Sequence, residues 1–330
     1  MPELPEVETT TRGLRKAILG LTIKDVWTDL STKDKRQKGS IANPKFFTIF
    51  KKEILNKKVI SVERRAKNIL INLSGSPRHV GASKTILIHL KMTGHLLYGK
   101  YKFTPSPRPD LKNSKRSGLI KGFWTPNESG PLHDPYNRFV HVVFTFSNKK
   151  NLAFSDARKF GKITLLDPEG KSTSYGAGTK TGYLAHLGPE PLDRNFTFEK
   201  FKKCLSASWR RKIKTILIDQ SIIAGIGNIY SDEILWRAGV HPERKVQKIK
   251  EKELKLIFKA IKETLTKGID FGGDSMSDYR NIHGLPGKFQ IHHEAYRRTG
   301  EKCRKPNCKG IIKRKIVNGR SAHFCSVHQK

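Results

Sequence analysis

The first six residues, Met-Pro-Glu-Leu-Pro-Glu, carry groups that could do covalent chemistry. Removal of Met1 would leave Pro2 with a free secondary amine, and an amine that attacks an electrophilic carbon can form a covalent imine. A secondary amine gives a cationic iminium directly, which draws electrons out of neighbouring bonds. Glu3 follows Pro2 and could act as an acid or base on the same reactant. The alternative interpretation of this terminus is a mobile lead-in to a helix.

The last 28 residues contain a second group of chemically distinctive side chains. Cys303 and Cys308 are separated by four residues, and Cys325 and His328 by two, with sixteen residues between the pairs. Three thiolates and an imidazole in this paired spacing predict one tetrahedral, structural zinc ion with no open position for catalysis. A small element of this kind needs the metal in order to fold. His292, His293 and His323 fit the paired spacing less well.

The charge of the chain indicates its partner. Over 330 residues, 65 Lys and Arg face 29 Asp and Glu, a formal net charge of +36. Such an excess of positive charge is typical of proteins that bind a polyanion, and nucleic acid is the commonest one in cells. No apolar run is long enough to span a bilayer and no signal peptide is visible, so we expect no membrane partner. Few cysteines, clustered as metal ligands, favour the reducing cytoplasm.

The elements that must position these groups follow from periodicity. A helix is predicted at 6–19 and a series of short antiparallel strands, in a sandwich or barrel, from Leu21 to about Leu166. Helices dominate after residue 195, and residues 270–287 form a glycine-rich loop. The predicted strands are 58–63, 69–73, 85–90, 139–146, 152–154 and 162–166, and the later helices are 196–208, 212–219, 229–238 and 248–267.

The composition also suggests boundaries. Residues 1–170 read as one N-terminal domain, interrupted at 100–137 by a proline-rich, polar and basic insertion that we expect to be a long exposed loop. Residues 171–195, rich in Gly, Ser and Thr, read as a linker. A helical domain at 196–297 and a cysteine-bearing element at 298–330 complete the predicted organisation.

Several short motifs, taken in order, resemble one family. They cover nearly the whole chain, with the 100–137 insertion outside the resemblance. The motifs are the N-terminal Met-Pro-Glu-Leu-Pro-Glu, Arg-Ala-Lys-Asn-Ile-Leu at 65–70, His-Leu-Lys-Met-Thr-Gly at 89–94, Asp-Ala-Arg-Lys-Phe-Gly at 156–161, Gly-Ile-Gly-Asn-Ile-Tyr at 225–230 and the cysteine-bearing tail with Gly319-Arg320. The chain resembles the bacterial formamidopyrimidine-DNA glycosylases, which excise oxidised purines from DNA.

The resemblance implies an α+β fold: an N-terminal antiparallel β-sandwich with flanking helices, then a helical helix–two-turns–helix domain with a zinc-finger β-hairpin. It also implies that Pro2 attacks the sugar C1′ while Glu3 assists base loss and ring opening. Lys67 matches a lysine assigned as a proton donor in β-elimination, and Arg320 an arginine that holds phosphates beside the lesion and aids δ-elimination. The tail departs from the family pattern in two ways: four residues separate Cys303 and Cys308 where the family mostly has two, and His328 replaces a cysteine.

The same resemblance implies DNA-contacting residues. An enzyme that acts on a base within a duplex must extrude that base and fill the gap. Met92, Arg158 and Phe160 match the family's void-filling residues, and the loop between Gly272 and Gln290 resembles one that closes over the extruded purine, with Tyr279 and Ser275 as alternative contacts to the base. Arg210, Lys214 and Asn228 match phosphate-contacting positions.

We therefore expect a bifunctional DNA glycosylase/AP lyase for 8-oxoguanine and formamidopyrimidines, with one structural Zn²⁺ as its cofactor. Its partner is damaged double-stranded DNA, and we expect a monomer in the cytoplasm, associated with the nucleoid. An endonuclease VIII-like enzyme for oxidised pyrimidines is one alternative. A non-catalytic DNA-binding module on the same scaffold is the other, although intact Pro2 and Glu3 argue against it.

Overall fold

The computed structural model describes residues 1–31, 40–75, 83–106, 122–167, 184–276 and 278–330. The chain divides into two compact units. The first comprises Met1–Pro2, Glu6–Ala185 and Ser275–Gly287, and the second comprises Glu3–Pro5, His186–Asp274 and Lys288–Lys330. The finer division into four stretches that the composition suggests stays a prediction.

The first unit is an antiparallel β-sandwich with two helices, as predicted. The elements are α1 (Leu4–Ile18), whose first two residues belong to the second unit, β1 (Ile23–Thr28), α2 (Pro44–Ile54), β2 (Val59–Arg65), β3 (Asn68–Leu73), β4 (Lys84–His89), β5 (His95–Gly99), β6 (Tyr101–Pro105), β7 (Gly122–Pro126), β8 (Val140–Phe146), β9 (Asn151–Ser155) and β10 (Lys162–Leu166). One sheet has the strand order β1-β8-β9-β5 and the other has the order β10-β4-β3-β2. A further two-stranded hairpin pairs β6 with β7.

Alternating side chains build the core of the sandwich. In β3, Ile69, Ile71 and Leu73 are buried, whereas Leu70 and Asn72 on the other face are partly exposed. The inward residues of both sheets join a single apolar cluster with residues of α1 and α2. This period of two, together with β-branched residues, is what made all six predicted strands of this unit recognisable.

Helix α2 was missed by the sequence prediction, which assigned only strands to this region. Its start is encoded locally, because Asn43 accepts hydrogen bonds from the amides of Lys45 and Phe46 and Pro44 occupies the first turn. Phe46 and Phe50 lie one helical turn apart and are fully buried. The Asn-Pro start and this spacing were the signals that could have revealed the helix.

The prediction of an exposed loop at 100–137 was wrong for the described residues at both of its ends. Strands β6 and β7 pair with each other, and 3₁₀ turns follow at Pro131–His133 and Pro135–Arg138. The hairpin folds because its aromatic side chains pack: Phe103 and Trp124 lie 5.8 Å and 6.3 Å from the ring of Trp27 on β1. Residues 107–121 of the predicted loop lie outside the described residues.

The second unit is helical and ends in a β-hairpin. Its helices agree with the predicted ones apart from their ends. The helix predicted at 248–267 begins at Glu251, because the 3₁₀ turn Val246–Lys248 and the N-cap Lys250 precede it. Leu4, Tyr230 and Phe289 lie in its apolar core. The elements are α3 (Phe198–Ser206), α4 (Ile213–Leu217), α5 (Asn228–Ala238), α6 (Glu251–Asp270), β11 (Ile312–Val317) and β12 (Arg320–Cys325).

Two turns connect α4 with α5, and they give the helix–two-turns–helix element that was expected. Gln220 organises them, because its side-chain amide donates to the Ile226 carbonyl (2.7 Å) and its oxygen accepts from the Gly225 amide (2.9 Å). Gly225 has φ of +92°, which only glycine adopts readily. No helix among the described ranges is long and apolar enough to cross a lipid bilayer.

Candidate functional site

Glu3 is held at the N-terminus of helix α5. Its carboxylate accepts hydrogen bonds from the backbone amides of Gly227 (2.7 Å), Ile229 (2.9 Å) and Tyr230 (3.3 Å). The first amides of a helix lack intrahelical partners and carry partial positive charge, so an anionic side chain is stabilised there. The Leu4 amide also donates to the Gly225 carbonyl (3.0 Å). Glu3 is therefore a fixed and buried carboxylate rather than part of a mobile terminus.

Pro2 is buried and Met1 is 44% exposed. In the chain with Met1 present, the Pro2 nitrogen is an amide and cannot be a nucleophile. The amine chemistry that the sequence suggests thus requires Met1 to be removed.

Lys67 lies in a two-residue turn that joins β2 to β3, where Ala66 has φ of +54°. Its side chain is buried although lysine is normally exposed. Other basic residues lie around this end of the sheet, since His89 pairs in register with Asn68 on one side and Lys162 on the other. Burial, and next the positive charges of Lys91, Lys67 and Lys162, lower the pKa of His89 to about 3.

These residues form a strongly electropositive site in the first unit, which we call the Lys67 cluster: Lys67, His89, Lys91 and Lys162. Burial and the charge of Lys162 also lower the pKa of Lys91. Three lysines grouped around a neutral histidine are suited to bind an anion. The sequence prediction named only Lys67, although His89 and Lys91 stand in a motif that was noticed for Met92.

Two loops of the first unit carry the three predicted void-filling residues. Met92, in the β4–β5 loop, is 39% exposed, and the Arg158 guanidinium lies 4.4 Å above the ring of Phe160 in the β9–β10 loop. Buried Asp156 ties the loops together. It accepts hydrogen bonds from the Thr93 hydroxyl and from the backbone amide of Gly161 (2.7 Å).

The Arg158 amide donates to the Thr93 hydroxyl oxygen at 3.2 Å, which adds a second link between the same two loops. Backbone strain marks both loops, because Lys91 and Lys159 have φ of +56° and +53°. Such conformations in non-glycine residues persist when the surroundings enforce them, and they concentrate at functional sites. Hydrogen bonds through Asp156 and Thr93 thus hold together the β4–β5 and β9–β10 loops, which carry Met92, Arg158 and Phe160.

Lys214 does not lie on the surface of the second unit. Its side chain is 0% exposed and forms an ion pair with Asp232, and its ammonium also donates to the Ser231 hydroxyl (3.2 Å) and the Asn228 carbonyl (3.5 Å). The second carboxylate oxygen of Asp232 accepts from the His323 amide at 2.9 Å. Lys214 therefore supports the first turn of α5 from inside the unit. A contact between Lys214 and DNA stays a prediction.

The remaining predicted phosphate contacts are on or near the surface of this unit. Arg210 is exposed. Asn228 begins α5, and its side-chain oxygen has no hydrogen-bond partner among the residues that the structure describes. Arg320 is exposed at the start of β12, directly after the Asn318-Gly319 turn of the C-terminal hairpin.

The four predicted zinc ligands are together. The Sγ and ring nitrogen atoms of Cys303, Cys308, Cys325 and His328 all lie within 4.8 Å of one another. The Cys308 and Cys325 sulfurs are 3.6 Å apart, and Cys303 Sγ lies 3.3 Å from His328 Nδ1. Such spacings suit four ligands on one tetrahedral zinc ion, for which Zn–S is about 2.3 Å and Zn–N about 2.0–2.1 Å.

The surroundings of this cluster prepare it for a cation. His328 Nε2 lies 2.9 Å from the Trp236 carbonyl, and a proton donated there leaves Nδ1 with its lone pair for a metal. The backbone amide of Gly310 donates to Cys308 Sγ at 3.4 Å, as amides do towards metal-bound thiolates. His323 does not belong to the cluster, because its Nδ1 pairs with Asp232.

The glycine-rich loop uses its two candidate side chains to hold itself. The buried Tyr279 hydroxyl donates to the Glu6 carbonyl at 3.0 Å. The Ser275 hydroxyl donates to the Tyr279 carbonyl (2.7 Å) and accepts from the Gly287 amide (2.8 Å). Burial raises the pKa of Tyr279. Both groups fix the loop within the first unit, and a contact with a base by either stays a prediction.

Comparison with known proteins agrees with this architecture. Residues 1–163 match the formamidopyrimidine-DNA glycosylase N-terminal domain, and residues 187–280 match the formamidopyrimidine-DNA glycosylase H2TH domain. Formamidopyrimidine-DNA glycosylases from Herpetosiphon aurantiacus and Bacillus subtilis are each 34% identical to this chain. The alignments cover 100% of the chain and 100% of the first protein, and 99% and 98% for the second.

Solved structures lead to the same class. The Lactococcus lactis Fpg protein, in a complex with DNA that contains an abasic site, is 28% identical, with a TM-score of 0.72 over 99% of both chains. The β-sandwich, the helix–two-turns–helix element and the Cys/His cluster define a DNA-repair glycosylase with a DNA-binding helical domain. The chain belongs to the formamidopyrimidine-DNA glycosylase family.

Proposed function

We propose that this protein is a bifunctional glycosylase and AP lyase that excises oxidised purines, 8-oxoguanine and formamidopyrimidines, from double-stranded DNA. The observation that carries the proposal is the fixed carboxylate of Glu3, bound by three backbone amides at the start of α5 and adjacent in sequence to Pro2. A group that transfers protons at a reacting sugar must be held in place, and three backbone amides hold the Glu3 carboxylate in place.

In the proposed reaction, the amine nitrogen of Pro2 forms a bond to the sugar C1′ and the bond from C1′ to the base breaks. Glu3 accepts the proton that the Pro2 nitrogen releases on attack and passes it to the departing base. A second proton, taken up from water and relayed by Glu3, protonates the ring oxygen as the sugar ring opens, which leaves a cationic iminium on Pro2. Loss of a proton from C2′ then expels the 3′ phosphate by β-elimination. A further elimination expels the 5′ phosphate, after which water hydrolyses the imine and frees the enzyme.

The other residues are assigned by what surrounds them. The electropositive surroundings of Lys67 support phosphate binding and proton donation during β-elimination. Exposed Arg320 on the hairpin suits a phosphate contact that aids δ-elimination, and Arg210 and Asn228 are proposed as further phosphate contacts. Lys214 is buried on Asp232, so its proposed part in phosphate binding is to support Asn228 at the start of α5. Met92, Arg158 and Phe160 would fill the space left by the extruded base, with the guanidinium on the orphaned partner.

Zinc is proposed as the single, structural ion of the Cys303, Cys308, Cys325 and His328 cluster. The partner is damaged duplex DNA, which the net charge of +36 supports. Bacillus and Lactococcus relatives of this family make a cytoplasmic location at the nucleoid reasonable to propose, and a monomer remains the expected state.

Borohydride trapping tests the proposal. The reagent reduces an imine to a stable amine, so protein whose intact mass proves the loss of Met1 should become covalently bound to duplexes that contain 8-oxoguanine. Pro2→Gly protein should give little or no trapped complex while it binds the duplex almost as well. Preserved duplex affinity with no adduct from the wild type would instead identify a non-catalytic DNA-binding module.

The choice of lesion needs a second measurement. Release of 8-oxoguanine and of thymine glycol from matched duplexes distinguishes the purine enzyme from the endonuclease VIII-like alternative. Faster release of 8-oxoguanine is expected, and a preference for thymine glycol would overturn the proposed specificity.

A further inference from the structure

The part of the glycine-rich loop that belongs to the first unit, Ser275–Gly287, is called the glycine-rich segment here. Residues 131–137, which follow the β6–β7 hairpin, contact this segment. Both belong to the first unit. The Arg280 guanidinium donates to the Asp134 carboxylate at 3.1 Å and lies 4.5 Å above the ring of Tyr136. The Arg280 side chain is only 7% exposed, so its charge is held in place by these contacts rather than by water.

Asp134 connects the two partners through its two oxygens. One accepts from the Tyr136 amide (2.9 Å) and begins the 3₁₀ turn Pro135–Arg138, and the other receives Arg280. One carboxylate therefore orders the turn and fixes the segment against it. Charge-assisted hydrogen bonds of this kind are stronger than neutral ones, particularly where they are partly buried.

A second pair of contacts fixes the far end of the same segment. The side-chain amide nitrogen of Asn137 donates to the Pro131 carbonyl (2.9 Å) and to the Gly284 carbonyl (3.5 Å). The side-chain oxygen of Asn137 lies 3.0 Å from His95 Nε2. Gly284 has φ of +81°, and a Cβ there would collide with the Pro131 carbonyl group. The segment and residues 131–137 are thus fitted closely at two points.

The opposite side of the segment rests on the sandwich. The Tyr98 amide donates to the Ile282 carbonyl at 2.7 Å, and the Ile282 side chain is buried against Gly13. Asp134 holds Arg280 and the sandwich holds Ile282, so the described part of the segment is supported at both residues. Glycine-rich loops lose much entropy when they become ordered, so such supports lower the cost of ordering.

We propose that Arg280 and Asp134 are positioning residues for base excision. They hold the glycine-rich segment in the conformation that covers an extruded damaged purine. This inference rests on the proposed function, and it gives the folded end of the 100–137 insertion a role in recognition of the base. Neither residue touches the reacting atoms, and both act through the segment.

Base release and cleavage at an abasic site should differ in their need for the glycine-rich segment. Covering the base matters while a base is present, and it has no role at a preformed abasic site. Loss of the Arg280–Asp134 pair should therefore slow base release and spare cleavage of abasic DNA. A general defect in folding or DNA binding would slow both reactions.

The experiment compares single-turnover rates on two duplexes that differ only in carrying 8-oxoguanine or a preformed abasic site. Asp134→Asn keeps an oxygen for the Tyr136 amide but loses the charge, and Arg280→Met removes the partner. Each should lower base release about tenfold or more, as misplacement of substrate-positioning groups does, and leave abasic-site cleavage within about twofold. Exchange of the two residues, Asp134→Arg with Arg280→Asp, should recover part of the loss.

Asp29→Ala is the matched control, because Asp29 is also a partly exposed carboxylate in the same unit and pairs with His141 at 2.9 Å. In Asp29→Ala, neither the rate of base release nor the rate of abasic-site cleavage should change. Amide exchange should accelerate within Ser275–Gly287 in Asp134→Asn and stay unchanged elsewhere.

Equal rates of base release in Asp134→Asn, Arg280→Met and the wild type would overturn the inference, as would equal losses on both substrates. A wild type that neither releases 8-oxoguanine nor becomes trapped would instead overturn the proposed function, and the inference with it.

Discussion

The Glu3 carboxylate and the Gly227 backbone fit each other so closely that no side chain has room between them. Gly227 donates its amide proton to Glu3 at 2.7 Å, and a Cβ built on Gly227 would coincide with the carboxyl group. The φ of Gly227 is −131°, an extended value that any residue adopts. Glycine is required here for space rather than for backbone freedom.

Gly227→Ala should therefore displace Glu3 without straining the backbone. We expect base release to fall about 100-fold or more, because small displacements of catalytic groups have effects of that size. Single-turnover release of 8-oxoguanine measures the loss. Gly75→Ala is the matched control, since no atom of the residues that the structure describes, apart from its chain neighbours, lies within 4 Å of the added carbon, and it should leave the rate unchanged. A wild-type rate in Gly227→Ala would show that the position of Glu3 is not critical.

Local chemistry explains what could be predicted from the sequence. The four metal-ligating residues were recognised because paired spacing on a short hairpin leaves few other arrangements. The six predicted strands follow from alternation, and the two-turn element from glycines at fixed positions. In each of these cases the information lies within a short stretch of chain.

Long-range pairs account for what could not be predicted. Lys214 stands in a basic run that resembles a solvated helix face, and its buried partner Asp232 lies 18 residues away on another helix. Arg280 and Asp134 are 146 residues apart, so no spacing rule joins them. The predicted loop at 100–137 folds where Phe103 and Trp124 meet Trp27, a contact that only the tertiary structure creates.

The buried pair of Lys214 and Asp232 should contribute strongly to stability. Lys214→Met leaves the Asp232 charge buried without its partner, which typically costs about 3–5 kcal/mol. Urea unfolding measures the change in the free energy of unfolding. Lys212→Met is the control, because Lys212 pairs with Glu243 at a partly exposed site and should cost about 1 kcal/mol or less. A small loss from Lys214→Met would contradict a structural role for this pair.

Removal of metal should unfold the C-terminal hairpin. Elemental analysis should find one zinc ion per chain, and a chelator should release it because the ligands and the folded hairpin stabilise each other. Trp236 can report the loss by its fluorescence, since its ring lies 5.3 Å from that of His328. Cys308→Ala should abolish zinc binding, whereas Cys204→Ala, on helix α3, should retain it. Zinc retained by Cys308→Ala would refute the assigned ligand set.

Arg320 should contribute one phosphate contact. Arg320→Ala is expected to weaken binding of lesion-containing duplex and to reduce the slope of log affinity against log salt by about 0.9, the amount for one contact. Fluorescence anisotropy over a range of salt concentrations measures both changes. Lys255→Ala removes an exposed cation from α6 instead, where Glu251 lies 3.7 Å away, and should leave the slope unaltered. An unchanged slope in Arg320→Ala would place this arginine away from the phosphates.

The second unit contains a buried ion pair whose strength should depend on pH. His293 Nε2 lies 2.6 Å from the Asp274 carboxylate, and both side chains are 3% exposed. The charged and titratable groups beside His293 include Asp274, Glu233, Tyr296 and His292, and Arg304 donates to the His293 carbonyl at 3.3 Å. Burial works against a charged imidazole, but the hydrogen bond to Asp274 and the charge of Glu233 outweigh it and raise the pKa of His293.

A raised pKa means that the folded protein holds this proton more tightly than the unfolded chain, where histidine titrates near about 6.5. The stabilisation is complete below that pH and disappears as pH rises through the folded pKa, so the free energy of unfolding should fall in that window. His293→Gln should lose this part of the pH dependence, as followed by urea unfolding, and NMR titration should find the His293 pKa above 6.5. His292→Gln should retain the dependence, because burial, the largest influence, and then the charge of Lys267 lower the pKa of His292, so this residue adds no stability from a tightly held proton in the window. A His293 that titrates below 6.5 would mean that Asp274 holds a neutral ring, and the pair would then add no stability that depends on protonation in this range.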